Sequence, residues 1–253
     1  MNIEELPIAI LKDVEDRSLQ IIKHIKDDIV IIGGWAVRAW GKEKHGRYTL
    51  DIDGITGQNK LESVKDKLES LGMKGKDSDW GIEFTAKYRP SEKLHAGLDE
   101  DAKRFVENLE LRIEISPPKM QELATHHYFE FDLEEVVELS VKSHGDMPPF
   151  NIRVPSLEPL TANKLGLPAD YKNRFDVGIL LPLCDMDKLM RIIKKTNDWA
   201  ELVYRRIPKT IGRTRDESDL AHLLLINANI DLKSFFRALE KLQRELGEHR
   251  LVR

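Results

Sequence analysis

The sequence has 253 residues, of which 41% are apolar and 33% are charged, with a formal net charge of -4. This length suits one large core or two modest ones. No apolar run is long enough for a transmembrane helix, and the amino-terminal residues carry acids where a secretory signal has a basic start. The single cysteine, Cys184, excludes an internal disulfide and a thiolate metal site. We therefore expect a cytoplasmic protein with no membrane partner.

The charge is distributed unevenly along the chain. Residues 161–253 hold 18 Lys and Arg against 13 Asp and Glu, whereas residues 1–160 hold 22 against 31. A basic half beside an acidic half suits an anionic partner that reaches across both. Ordinary surface variation explains an imbalance of this size equally well, so charge alone identifies no partner.

Residues 1–118 are predicted to alternate between strands and helices, because apolar residues recur at helical intervals in some segments and form short β-branched runs in others. In chain order we predict a helix over Glu4–Ile25, a strand over Ile29–Ile32, a helix over Trp35–Trp40, a strand over Tyr48–Ile55, a helix over Asn59–Leu71, and strands over Ile82–Ala86 and Leu109–Ile115. This alternation predicts an α/β core.

The remaining residues follow a different pattern. Phe129–Leu133 and Val137–Val141 alternate as short strands do, and helical periodicity begins at Ser156. The predicted helices are Leu160–Leu167, Asp176–Leu183, Met186–Thr196, Trp199–Arg206, Asp216–Asn227 and Leu232–Leu246. We therefore predict an α/β fold with a small mixed-sheet core in residues 1–155, followed by a mainly helical carboxyl-terminal domain in residues 156–253.

One interpretation of Gly33-Gly34, where a buried strand runs into a helix, is a phosphate site. The first turn of a helix leaves backbone N–H groups unpaired, and glycines let a phosphate approach them closely. Glycines also end strands in many α/β proteins, so the pair alone does not decide between the two interpretations.

Asp51-Ile52-Asp53 places two carboxylates on one face of a predicted strand, because positions i and i+2 project the same way. Like charges roughly 7 Å apart repel each other, and Mg²⁺ is the usual cation for an all-oxygen ligand set. The competing interpretation is an exposed strand face, or a turn in which both aspartates act as caps.

Together, Gly33-Gly34-Trp35-Ala36-Val37-Arg38 and Arg47-Tyr48-Thr49-Leu50-Asp51-Ile52-Asp53 resemble the signature of the DNA polymerase β-like nucleotidyltransferase superfamily. In that superfamily Gly-Gly opens a helix that faces an Asp-x-Asp strand. The Arg-x-Thr-x-Asp-x-Asp form is most similar to AbiEii-type toxin nucleotidyltransferases and their archaeal and bacterial relatives. The resemblance implies a catalytic core in residues 1–155 and a helical domain that contributes to the nucleotide and substrate cleft.

The superfamily takes a third carboxylate from a later strand. Glu110 and Glu114 lie on one face of the predicted strand with Arg112 between them, and Arg112-Ile113-Glu114-Ile115 resembles the superfamily's second motif. The resemblance therefore implies that Asp51, Asp53 and Glu114 are the catalytic residues and bind Mg²⁺ or Mn²⁺. The alternative is that Glu110 and Glu114 both pair with Arg112 across an exposed strand.

Further nucleotide contacts are predicted from position and from the resemblance. Arg38 lies one turn after Gly34, and Arg47 and Thr49 alternate with the two aspartates along the predicted strand. The AbiEii-type pattern also has a Lys in a short helix followed by a basic-Asp segment, places that Lys164 and Asp176 occupy. The candidate nucleotide-binding residues are Gly33, Gly34, Arg38, Arg47, Thr49, Lys164 and Asp176.

The implied activity is a metal-dependent nucleotidyltransferase, which moves a nucleoside monophosphate from a nucleoside triphosphate to a hydroxyl of an acceptor and releases pyrophosphate. The acceptor is tRNA or another RNA, a protein, or a small molecule. One alternative is a toxin of a toxin–antitoxin system that acts on tRNA or nucleotides, with an antitoxin protein as partner. Another is a catalytically silent nucleotide- or RNA-binding module.

Overall fold

The computed structural model describes residues 6–78, 80–122, 125–216 and 230–251. The helices are α1 (Ile8–Ile25), α2 (Gly33–Gly41), α3 (Gln58–Ser70), α4 (Glu92–Ala96), α5 (Glu100–Glu107), α6 (Leu157–Leu165), α7 (Tyr171–Leu180), α8 (Met186–Ile193), α9 (Asn197–Arg215) and α10 (Leu232–Leu251). The strands are β1 (Val30–Ile32), β2 (Asp51–Ile55), β3 (Lys74–Ser78), β4 (Gly81–Lys87), β5 (Glu110–Ser116), β6 (Lys119–Glu122), β7 (His127–Glu130), β8 (Val136–Val141) and β9 (Phe150–Pro155). No helix in these ranges is long and apolar enough to cross a membrane.

A five-stranded mixed sheet orders the amino-terminal half, with the strand order β1-β2-β5-β4-β3. Strands β2 and β5 run parallel, whereas β1 with β2, β4 with β5, and β3 with β4 run antiparallel. The inward side chains of the inner strands are apolar and buried, among them Ile52, Phe84 and Ile113. The mixed sheet followed by helices confirms the predicted fold class.

The described residues divide into two compact units. The sheet unit comprises Met1–Trp35, Tyr48–Pro118 and Val136–Val154, and the helical unit comprises Ala36–Arg47, Lys119–Glu135 and Pro155–Arg253. In the sheet unit, α1 buries Ile10, Val14, Ile22 and Ile25, which recur at helical intervals. In the helical unit, Trp199 is buried against Phe129 of β7 and its indole N–H donates to the carbonyl of Ala162 (3.0 Å).

The elements absent from the sequence-based prediction are mostly exposed or short. Strand β3 has the sequence Lys-Gly-Lys-Asp-Ser with no buried residue, because it forms an edge of the sheet. Helices α4 and α5 are capped at their amino termini by Ser91 and Asp99, whose side chains accept from Leu94 N and Ala102 N respectively. The helix predicted over Asp216–Asn227 lies, apart from Asp216, outside the described residues.

Candidate active site

Gly33 and Asp53 meet at the junction of β1, β2 and α2. Ile32 is the register partner of Asp53 in the antiparallel β1–β2 pair, which brings Gly33 beside the Asp53 side chain. Gly33 has φ +64°, and a Cβ added to it would lie 1.9 Å from Oδ2 of Asp53. The carboxylate therefore occupies this place only because position 33 has neither a side chain nor a need for negative φ.

The two aspartates of the motif bracket a core residue. Ile52 is 1% exposed, whereas Asp51 is exposed and Asp53 is half-buried. Because alternate residues of a strand project from opposite faces, Asp51 and Asp53 present their carboxylates on one face of β2.

The neighbouring strands add charged residues to that face. The parallel β2–β5 register sets Asp51 beside Arg112 and Asp53 beside Glu114. The antiparallel β4–β5 register then sets Glu83 beside Glu114. Three carboxylate-bearing positions, Asp53, Glu114 and Glu83, consequently form a row across three strands. No local pattern in the sequence marks Glu83, because its place in the row depends on the pairing of β4 with β5.

Arg112 binds two members of this row. Its Nη2 lies 2.6 Å from Oε1 of Glu114 and 2.7 Å from Oε2 of Glu83. Glu110, the other acid considered for the third position, is exposed near the start of β5 with Lys87 as its register partner. Arg112 therefore forms ion pairs with Glu114 on its own strand and with Glu83 on the adjacent strand β4.

The environment of Glu114 has an excess of negative charge. Burial raises the pKa of the Glu114 carboxyl, and so do the charges of Asp53, Glu83 and Asp51, while Arg112 opposes the rise. The donors here are carboxylate oxygens on one sheet face, a set whose chemistry fits Mg²⁺ or Mn²⁺. Across the described ranges, no group of three or more acidic, His or Cys side chains is gathered closely enough to form a ready metal site.

In the helical unit, Asp176 of α7 binds two cationic side chains. Its Oδ1 accepts from Nη2 of Arg47 (2.9 Å), and its Oδ2 lies 2.8 Å from Nζ of Lys164 in α6. Asp176 is fully buried, and both cations are nearly so. Burial alone would raise the pKa of Asp176, but Arg47 and Lys164 outweigh it and hold the pKa below its usual value.

Arg38 lies in the same unit and organises the chain that follows α2. It is 4% exposed, its Nη2 donates to the carbonyl of Arg47 (2.6 Å) and its Nε donates to Nδ1 of His45 (3.3 Å). The structure thus brings Arg38, Arg47, Lys164 and Asp176 into one unit and joins them through direct contacts. Their contacts with a nucleotide remain a prediction.

Thr49 does not lie in a strand, although the sequence pattern predicts a strand that begins at Tyr48. Strand β2 begins at Asp51, and the backbone N–H of Thr49 donates to Oε1 of Glu15 in α1 (2.8 Å). The Thr49 hydroxyl is buried, with no hydrogen-bond partner in the part of the chain that the structure describes. Glu15 is a second residue that sequence reasoning missed, because a buried acid in an amphipathic helix carries no local signal of its partner.

The fold of the chain is similar to that of a solved structure. The chain is similar to JHP933 from Helicobacter pylori, with a TM-score of 0.51 and 16% identity over 98% of this chain and 97% of that one. At this level of identity the similarity shows that the two chains share an overall fold.

Two further structures show weaker similarity. One is a Helicobacter pylori protein assigned as a nucleotidyltransferase, with a TM-score of 0.48 and 15% identity over 93% of this chain and 96% of that one. The other is MenT4, a nucleotidyltransferase toxin from Mycobacterium tuberculosis H37Rv, with a TM-score of 0.41 and 15% identity over 94% and 83%. No family model matches the sequence, and no curated protein matches it.

Proposed function

We propose that the protein is a metal-dependent nucleotidyltransferase that transfers a nucleoside monophosphate from a nucleoside triphosphate to a hydroxyl of an acceptor. The observation that carries this proposal is the contact of Gly33 with the Asp53 carboxylate, which joins the glycine turn to the acidic row of Asp53 and Glu114. A turn that opens a helix supplies backbone N–H donors for phosphate oxygens, and the acids beside it suit a cation that accompanies the triphosphate.

Asp51 and Asp53, with Glu114, are the residues that would hold Mg²⁺ or Mn²⁺. Such a cation, when bound, supplies positive charge beside the triphosphate and lowers the pKa of a hydroxyl. The backbone N–H groups at Gly33 and Gly34 would orient the phosphates at the start of α2. In this assignment the two aspartates position the triphosphate.

The transfer itself forms one bond and breaks one. The acceptor oxygen attacks the α-phosphorus, the bond to the bridging oxygen breaks, and pyrophosphate leaves with its electron pair. Glu114 takes the proton from the attacking hydroxyl, since its carboxylate lies beside Asp53 on the same sheet face. Arg112 holds Glu114 in place through the 2.6 Å contact.

The helical-unit residues Arg38, Arg47, Lys164 and Asp176 enter the proposal through the motif resemblance, as does Thr49 of the sheet unit. Because Asp176 is buried between Arg47 and Lys164, its first effect is to fix the direction of both cationic side chains. In this proposal Lys164 is a nucleotide-binding residue, and Asp176 sets the direction of its ammonium group.

The test is a transfer assay with each of the four α-labelled ribonucleoside triphosphates, with Mg²⁺ or Mn²⁺, in the presence of total RNA, protein or small-molecule extract. We expect label to enter one fraction, which identifies the acceptor class. Asp53→Asn is the control and should transfer nothing. Triphosphate binding without label transfer to any fraction would contradict the enzyme proposal and support a silent binding module. Label in tRNA would support the toxin alternative, which a search for an antitoxin partner would then follow.

A further inference from the structure

The three residues that precede β2 are anchored by a helix. Residues 48–50 belong to no strand, and sheet pairing of this segment begins at Asp51. Two side chains of α1 bind the backbone there: Oε1 of Glu15 accepts from Thr49 N (2.8 Å), and Oγ of Ser18 donates to the carbonyl of Leu50 (3.4 Å). Helix α1 thus supplies the hydrogen bonds that a neighbouring strand would otherwise give.

Glu15 is an unusual residue for its place in α1. It is 0% exposed and lies on the face that buries Leu11, Val14 and Leu19. A buried carboxylate is stable only when its oxygens accept hydrogen bonds. Besides accepting from Thr49 N, Glu15 also binds the backbone N–H (2.8 Å) and ring Nδ1 (3.0 Å) of His144. These donors fix the carboxylate, so the Thr49 amide is held at a defined position.

We propose that Glu15 is a positioning residue for Asp51 and Asp53, an inference that rests on the proposed function of those aspartates. Asp51 is exposed and is the first residue of β2, so sheet pairing restrains it from one side only. The Glu15–Thr49 hydrogen bond restrains the chain two residues before it. Glu15 acts on the aspartates through the backbone and touches no reacting atom.

Asp16 offers a matched control within the same helix. It accepts from Ser143 Oγ and from the backbone N–H groups of Asp146 (2.9 Å) and Met147 (3.2 Å). Both acids therefore anchor the loop of residues 143–147, but among the described contacts only Glu15 also binds the segment before Asp51. Comparing Glu15→Ala with Asp16→Ala separates positioning of the aspartates from general anchoring of the loop.

The experiment measures amide hydrogen exchange over residues 48–51 and Mn²⁺ affinity of the full chain, neither of which requires turnover. Outer residues that orient metal ligands change metal affinity by about 10–100-fold. We expect Glu15→Ala to weaken Mn²⁺ binding about tenfold at least and to speed exchange at residues 48–51. Asp16→Ala should leave both unchanged and speed exchange only near residues 143–147. Equal Mn²⁺ affinity and equal exchange at residues 48–51 in the two variants would overturn the proposal.

Two further variants keep the test decisive if Glu15→Ala does not fold. Glu15→Gln retains one oxygen that can accept from Thr49 N, so it should preserve exchange protection at residues 48–51 better than the alanine variant. Ser18→Ala removes only the Leu50 contact and should speed exchange in the same segment to a smaller degree. Unchanged exchange in Ser18→Ala and complete loss of protection in Glu15→Gln would refute the assignment. If the wild type transfers no nucleotide, the proposed function is wrong. Hydrogen exchange and Mn²⁺ affinity would still show whether Glu15 positions the two aspartates.

Discussion

The carboxylate of Asp53 occupies the space that any side chain at position 33 would need. Its Oδ2 lies 1.9 Å from where a Cβ on Gly33 would be, and Gly33 also adopts φ +64°. The residues are brought together by the antiparallel pairing of β1 with β2. A single methyl group at position 33 is therefore expected to displace the Asp53 carboxylate of the candidate active site.

Gly33→Ala should abolish nucleotidyl transfer and destabilise the protein. The positive φ alone should lower stability by about 1–2 kcal/mol, and the new methyl group must in addition displace the Asp53 carboxylate. Gly72→Ala is the matched control, since Gly72 has φ +77° but nothing within 4 Å of an added Cβ. Thermal unfolding and the transfer assay measure both effects. Full activity in Gly33→Ala would show that Asp53 is not held as described.

Asp51→Asn, Asp53→Asn and Glu114→Gln should each reduce transfer by about a hundredfold or more, because each removes a carboxylate that is proposed to hold the divalent cation and, in Glu114, also to take the proton. The folds should persist, since these side chains are exposed or half-buried on the sheet face. Glu110→Gln makes the same change as Glu114→Gln at the exposed start of β5 and should retain activity. Equal losses in the two glutamine variants would contradict the choice of Glu114.

Arg112→Gln should make the protein depend on divalent cations for stability. Without Arg112, Glu83 and Glu114 face each other as like charges on adjacent strands, which is unfavourable. We expect the melting temperature to fall by roughly 2–4 °C and to recover with Mg²⁺ more than in the wild type. Arg89→Gln, a charge change at an exposed position of the same unit, controls for net charge. The same Mg²⁺ response in both variants would count against a cation at this row.

Asp176→Asn should destabilise the protein strongly, by about 3–5 kcal/mol, because it leaves the buried side chains of Arg47 and Lys164 without their counter-charge. Urea unfolding at pH 7 measures the loss. Asp170→Asn is a matched control, since Asp170 caps the same helix and Asn caps helices about as well. A loss no larger than that of the control would mean that the three-residue cluster contributes little to stability.

The same cluster predicts a pH dependence of stability. Arg47 and Lys164 hold the pKa of Asp176 below its usual value near 3.9, so the folded state binds fewer protons than the unfolded state in this range. The contribution of Asp176 is therefore complete above the unfolded pKa and is lost as the pH falls through the folded pKa. The urea midpoint of the wild type should drop below about pH 4, and that of Asp176→Asn should drop less. A steeper acid dependence in the variant would contradict this sign.

The spacing of residues along the sequence predicts an element correctly where the interactions that form the element lie within one segment. The alternation of Asp51, Ile52 and Asp53 follows from the two-residue repeat of a strand, and the structure buries Ile52 as that repeat requires. Elements whose form depends on distant partners were not predicted. Strand β3 is an exposed edge without apolar alternation, and the segment before Asp51 is held by α1 side chains rather than by a strand.

The contact of Arg47 likewise depends on a distant partner and could not be predicted from the sequence. Sequence spacing set it on a strand face with Asp51, but its guanidinium binds Asp176, which lies 129 residues further along the chain. Glu83 likewise carries no motif, and it joins Glu114 only through the β4–β5 register. Both contacts join residues that are distant in the sequence, so the spacing of residues within one segment cannot predict them.

By itself the sequence determined the α/β class, the glycine turn and the two aspartates on one strand face, because these depend on local spacing and residue type. Only the tertiary structure decided that Asp53 fills the space beside Gly33, that Arg112 bridges Glu114 and Glu83, and that Glu15 holds the chain before Asp51. The physical reason is that strand register and helix packing set these contacts, and both are settled by the burial of the whole core rather than by any one segment.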